Sequence, residues 1–157
     1  MFTSRLELIS VSLASSPTIK DSGGPRHEGP RLLARLARML RRGGQCYIED
    51  LYELAPFAPS DLHDVRHTLF GMTLTSVADY VRDLQQASFT EITATDLSED
   101  WATFCGERMA AWQADRARHV RVHGEPIYAQ LDRFYTVVCR LFGSGSLGGV
   151  RLVARVD

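Results

Sequence analysis

At 157 residues, 45% hydrophobic and 24% charged, the chain has the length and composition of one globular domain with a core of its own. A net charge of −1 argues against a strongly basic nucleic-acid binder or a protein drawn to anionic membranes by its overall charge. No apolar run reaches the ~20 residues of a membrane span. Cys46, Cys105 and Cys139 are widely spaced and each falls in an apolar pattern. That suits reduced core thiols in a cytoplasmic protein better than a disulfide framework or a zinc site.

Residues 1–30 read as an irregular N-terminal segment. Leu6, Leu8, Ile9, Val11 and Leu13 form one short candidate strand within it. Glu7 interrupts the apolar stretch that a secretory signal needs, although the Ser-rich, acid-poor composition also suits an organellar transit peptide. Ser15–Pro17, Asp21–Pro25 and Gly29-Pro30 read as loop or disordered chain.

From Arg31 the pattern becomes regular. Leu32, Leu33, Leu36, Met39 and Leu40 recur at helical spacing as one apolar stripe, with Arg31, Arg35, Arg38, Arg41 and Arg42 mostly off it. Gly43-Gly44 permits the left-handed backbone that closes a helix. Gln45–Ile48 follows as a buried strand, with Glu49 and Asp50 at its C-terminal end, where open α/β sheets bind ligands.

Pro56 and Pro59 mark a loop, and Ser60 or Asp61 can cap a short helix running to about Leu69. His63 and His67 share a face of that helix. Two such residues without a His-Glu-x-x-His pattern read as a solvated face before they read as a metal pair. Ser76 with Asp79 three residues later resembles a capping box, and Val77, Tyr80, Val81 and Leu84 form the buried stripe of the next helix. Glu91–Thr95 alternates as a strand ending at Asp96.

Ser98 is placed to cap a long helix whose apolar face is Trp101, Phe104, Cys105, Met109 and Trp112, with Arg108 set within that stripe. An arginine there either snorkels past the aromatics or points into a polar pocket, where it would make a carboxylate clamp. Asp115–Arg121 reads as the helix's solvated end. Pro126 starts another helix with a core stripe of Ile127, Leu131, Phe134, Val138 and Leu141, leaving Tyr128 and Tyr135 on a neighbouring edge. Val150, Leu152, Ala154 and Val156 alternate with Arg151, Val153 and Arg155 in a final strand. A Gly-x-Gly-x-x-Gly run exists at Gly143–Gly148, but a dinucleotide motif needs a strand before it and a helix after it. Here the order is reversed, so the run reads as a flexible turn.

The passage LARLARMLRRGGQCYIEDLY resembles the helix–Gly-Gly–strand segment in the second half of class I S-adenosylmethionine-dependent methyltransferases. The likeness continues through SVADYVRDLQQASFTEITATDLSEDW and LFGSGSLGGVRLVARV. It covers Arg31 to the last residue, about four fifths of the chain, and departs at Ala87-Ser88-Phe89, where the family carries Ala-Gly-Phe. The resemblance implies an α/β fold over residues 31–157: the second half of a Rossmann-like sheet, with a helical cap between its last two strands and the first half missing. Roughly three strands and four or five helices are expected.

By resemblance the activity is methyl transfer to a small molecule, most like the enzymes acting on sarcosine, dimethylglycine or phosphoethanolamine. Alignment of acceptor and methyl supplies most of the catalysis in such a site. Glu49, Asp50 and Tyr52 would then line the methyl-transfer end, and Trp101, Arg108 and Tyr128 would close the acceptor pocket. A structural role for each stays open. S-adenosylmethionine is the implied cofactor, but with no Gly-rich cradle the chain alone is expected not to bind it tightly or to be active. The alternative is a non-enzymatic fragment acting as an interaction module. Neither nucleic acid nor membrane is expected as a partner. Self-association through an exposed edge at Gln45–Ile48 is possible in principle, unless the Leu6–Leu13 segment adds itself as a strand.

Overall fold

In the computed structural model of the chain, residues 8–11, 28–69 and 74–157 are described. They carry four strands and six helices. The irregular stretches expected at Ser15–Pro17 and Asp21–Pro25 lie outside the described residues. These residues divide into two units.

The first unit is built on a sheet. Strands β1 (Leu8–Val11), β2 (Gln45–Glu53), β3 (Phe89–Asp96) and β4 (Leu147–Val156) lie in the order β1-β2-β4-β3. β1 runs parallel to β2, with Leu8 opposite Gln45 and Val11 opposite Ile48. β3 runs antiparallel to β4, with Phe89 opposite Val156 and Asp96 opposite Val150. The fourth strand beyond the three expected is β1, from the Leu6–Leu13 segment; it pairs along Gln45–Ile48, so that stretch is not the exposed edge expected for self-association.

Helices α1 (Glu28–Met39) and α3 (Val77–Gln86) cover one face of this sheet. Leu33, Leu36 and Leu40 of α1 and Tyr80 and Leu84 of α3 pack with Cys46, Ile48, Tyr52, Val150, Leu152 and Ala154 into one core. Helix α1 starts at Glu28, so Gly29-Pro30 is helical rather than loop. Proline is tolerated there because the first-turn N–H groups have no intrahelical acceptor anyway. Met39 is not in the buried stripe but is 70% exposed, since it lies about 100° around the helix from Leu40. Gly43 takes φ +75°, and a Cβ on Gly44 would come within 2.8 Å of the Arg41 carbonyl oxygen, which accounts for both glycines.

Ser76 caps α3 as expected, accepting from the Asp79 N–H at 3.2 Å, while its hydroxyl donates to the Asp79 carboxylate. The helix ends through Ser88 at φ +69°, a left-handed position that favours glycine. At the outer edge β3 is bulged: Glu91 sits at φ +48° and the register shifts between Thr90 and Thr93. A bulge and a Thr/Glu/Asp surface both blunt an edge against further strand pairing.

One polar bond runs through the core. Tyr80 Oη on α3 donates to Asp50 Oδ2 on β2 at 2.6 Å, and the Leu51 N–H donates to Asp50 Oδ1 at 2.9 Å. Asp50 is 3% exposed. Burial, then the Asp50 charge, push the Tyr80 phenol far above its ordinary pKa, so it stays a donor throughout the working pH range.

The second unit is helical: α2 (Pro59–Thr68), α4 (Ser98–Ala114), α5 (Arg116–His123) and α6 (Glu125–Gly143). Four elements differ from expectation here. Ala58, not Ser60 or Asp61, is the N-cap of α2, because Pro59 occupies the first helical position. Asp61 is buried instead, taking Arg140 Nη1 from α6, while Asp64 takes Arg140 Nη2 at 2.7 Å. Ser98 is the first residue of α4 rather than its cap, which is Leu97. The long helix breaks at Asp115, so Arg116–His123 forms a helix of its own, and α4 buries none of its residues fully. On α6, Ile127 (45%) and Leu131 (36%) are exposed, whereas Tyr128 is buried because it stacks on Trp112 at 5.4 Å. Val138 and Leu141 are buried as expected.

Two stability measurements test these packings. Tyr80→Phe removes a buried bond to a charged acceptor and is expected to cost about 1.5–3 kcal/mol in urea unfolding; a loss under about 0.5 kcal/mol would mean Asp50 is satisfied without the phenol. Ser88→Gly relieves a left-handed serine and is expected to raise the unfolding free energy by about 0.5–1 kcal/mol, read as a higher urea midpoint at unchanged slope. An unchanged or lower midpoint would show that Ser88 carries no strain.

Candidate functional site

Strand pleating decides how the three residues expected at the methyl-transfer end are used. β2 alternates half-buried and buried residues along its length, so Glu49 lies on one face and Asp50 and Tyr52 on the other. Asp50 and Tyr52 face the helix-covered core, where Asp50 holds Tyr80 and Tyr52 is 6% exposed. Glu49 stands apart from them on the wetter face.

There Glu49 Oε1 accepts from Tyr47 Oη at 2.5 Å, from Arg151 Nε at 2.9 Å and from Arg151 Nη2 at 2.6 Å. The guanidinium also lies 5.4 Å from the Tyr47 ring centre. The Tyr47 hydrogen bond, then that of Arg151, hold the Glu49 carboxyl below its usual pKa. The same bond to Glu49 raises the Tyr47 phenol. Glu49 is thus a fixed anion with Tyr47 as donor, unsuited to taking up a proton near neutrality. Reasoning on the sequence missed Tyr47 and Arg151 as its partners. The signal was available in the strand periods: Tyr47 and Glu49 are two apart, and Arg151 lies on the polar phase of β4.

The three residues expected on the acceptor side belong to the second unit. Trp101 and Arg108 are on α4, Tyr128 is on α6. Arg108 is exposed, with its guanidinium 5.8 Å from the Phe104 ring centre. Tyr128 joins an aromatic column: Trp112 stacks on His119 at 3.9 Å and on Tyr128 at 5.4 Å, and Arg116 lies 5.2 Å from the Tyr128 ring centre while pairing with Glu125 at 2.5 Å. Neither Trp101 nor Arg108 enters that column.

A shallow cleft on this unit, about 190 Å³, is lined by His67, Thr68, Gln130, Leu131, Arg133 and Phe134. It is smaller than the ~300 Å³ at which small-molecule sites begin, and none of the six expected residues lines it. The His63 and His67 rings lie 4.3 Å apart. Among the described residues no group of three metal-ligating side chains occurs.

The Gly143–Gly148 run connects the end of α6 to the start of β4, with Gly145 at φ +72°. The Leu54 and Ala55 N–H groups both donate to the Ser146 carbonyl, so the turn is tied to the chain just after β2. Among the described residues the run is preceded by a helix and followed by a strand, as the sequence order implies.

No protein-family profile and no curated protein matches the sequence. Solved structures do match. A phosphoethanolamine N-methyltransferase 2 from Haemonchus contortus, in complex with phosphomonomethylethanolamine and S-adenosylhomocysteine, aligns at TM-score 0.76 and 13% identity over 83% of this chain and 30% of its own. A cyclopropane synthase from Mycobacterium tuberculosis aligns at TM-score 0.72 and 15% identity over 81% of this chain and 49% of its own. A protein from Galdieria sulphuraria, described as a candidate sarcosine dimethylglycine methyltransferase, aligns at TM-score 0.71 and 12% identity over 80% of this chain and 46% of its own. The chain therefore spans between 30% and 49% of these proteins. Its fold is that of the C-terminal part of an S-adenosylmethionine-dependent methyltransferase: the second half of the Rossmann-like sheet, with a helical insertion between the last two strands.

Proposed function

We propose that the chain is the acceptor-side half of a methyltransferase that uses S-adenosylmethionine to methylate a small amine. The carrying observation is the strand order β1-β2-β4-β3 with helices α4–α6 inserted between β3 and β4, matched at TM-score 0.76 over 83% of the chain. In this reading Glu49, Asp50 and Tyr52 lie toward the methyl-transfer end, with Asp50 and Tyr52 positioning the strand through the core. Trp101, Arg108 and Tyr128 belong to the acceptor side. The cofactor-cradling half has to come from outside these residues, so the 157 residues alone are inactive.

A second reading, a non-enzymatic interaction module, is favoured by one observation. Asp50 and Tyr52 are already committed to the core, 3% and 6% exposed. Such a module would pair with a partner, or with its own copy, along the β1 edge of the sheet in a cytoplasmic setting.

Calorimetry separates the possibilities. The 157-residue chain is expected to give no micromolar heat with S-adenosylmethionine. Micromolar binding that is lost in Gly145→Ala would mean that the glycine run serves the cofactor after all, overturning the half-enzyme reading. In a preparation that does turn over, Arg108→Met is expected to raise the acceptor KM about tenfold, equivalent to ~1.4 kcal/mol, and to leave the melting temperature unchanged. A large fall in melting temperature at constant KM would make Arg108 structural. Activity of any longer preparation with no effect of residues on this chain would favour the module.

A further inference from the structure

Helix α1 is sharply two-sided. Leu33, Leu36 and Leu40 are 1%, 7% and 8% exposed and belong to the core. On the opposite side, rotation of about 100° per residue puts Arg31, Arg35 and Arg38 within an arc of about 60°, and all three are exposed. Met39 lies about 40° beyond Arg35 on the same side, with 70% of its surface exposed. Arg42 continues the row, exposed, in the turn after the helix.

Among the described residues the row makes no ion pair. Arg82, Arg116, Arg118, Arg133, Arg140, Arg151 and Arg155 each sit against a carboxylate. Among the described residues Arg31, Arg35, Arg38 and Arg42 do not; the one side-chain bond of Arg38 goes to the Ala34 carbonyl of its own helix. Like charges at i,i+3 and i,i+4 oppose helix formation, and Arg31 also lies in the half nearer the positive helix end. Glu28, three positions before Arg31, is the one acid of α1 on this side.

We propose that the outward face of α1 docks on an anionic phospholipid bilayer. From Arg31 to Arg38 the row runs straight for about 10 Å, presenting guanidinium groups to a plane of phosphate and carboxylate headgroups that they bind in bidentate fashion. Met39 supplies a single apolar foot for the interfacial layer. A nucleic acid would use the arginines but has no place for an exposed methionine beside them. The apolar side of α1 is already consumed by the core, so contact is peripheral and strongly salt-sensitive. The net charge of −1 conceals the row, because attraction at this range is local, and it selects one orientation, arginines toward lipid. This inference stands independently of methyl transfer.

The test is co-sedimentation of the full chain with phosphatidylcholine vesicles, with and without phosphatidylserine. Binding is expected only with phosphatidylserine and is expected to disappear at high salt. The triple change Arg31→Gln, Arg35→Gln, Arg38→Gln should weaken it about 100-fold. Met39→Ser should weaken it a few-fold, with circular dichroism melting not lowered in either variant. Should the triple variant fail to fold, Arg35→Glu alone should still weaken binding at least tenfold. Equal binding to both vesicles, no binding to either, an unaffected triple variant, or retention of the chain by duplex DNA but not by phosphatidylserine vesicles would each overturn the proposal.

Discussion

The first unit depends on β4 lying between β2 and β3. Val150, Leu152 and Ala154 on that strand are at most 2% exposed, and they join the core that β2, α1 and α3 enclose. Without β4, β2 would keep only the four-residue strand β1 as a neighbour, and β3 would have none among the described residues. The alternation of Leu152 and Ala154 inward with Arg151 and Arg155 outward serves both requirements at once. It supplies apolar surface to one face, and to the other it supplies the cations that pair with Glu49 on β2 and Glu91 on β3.

Much of this sheet was legible in the sequence, because its signals are local and redundant. The helix–Gly-Gly–strand passage combines a 3.6-residue period, two glycines with distinct backbone reasons and a period-2 strand, and all three agree. The Ser76–Asp79 cap is likewise a short-range pattern that the fold uses as written. The start of α1 was less legible: a proline that reads as a breaker can sit in a first turn, where its missing N–H loses nothing.

The helical unit was less legible for a physical reason. Helices α4 and α5 bury none of their residues fully, so their apolar spacing marks no buried stripe. On α6 the apolar spacing of Ile127, Leu131 and Phe134 is regular, yet the buried residue in that half is Tyr128, chosen by stacking on Trp112 from another helix. No window of one sequence reports a partner sixteen positions away on a different element. The same limit applies to Asp61, which reads as a capping residue and is instead the buried end of an ion pair with Arg140. At the candidate site the residue types were legible but their grouping was not. Consecutive Glu49 and Asp50 look like one acidic patch, while the pleat sends one to Arg151 and the other to Tyr80.

The helices inserted between β3 and β4 have a consequence for how such a chain can change. Glu49 and Arg151 meet across 102 positions of sequence, so the entropy of closing that loop is already committed. Doubling its length would add only about 0.6 kcal/mol. In loop-closure terms, the pairing of β2, β3 and β4 is therefore nearly indifferent to how much chain lies between Leu97 and Ser146, which makes that stretch the natural place for an engineer to lengthen the protein.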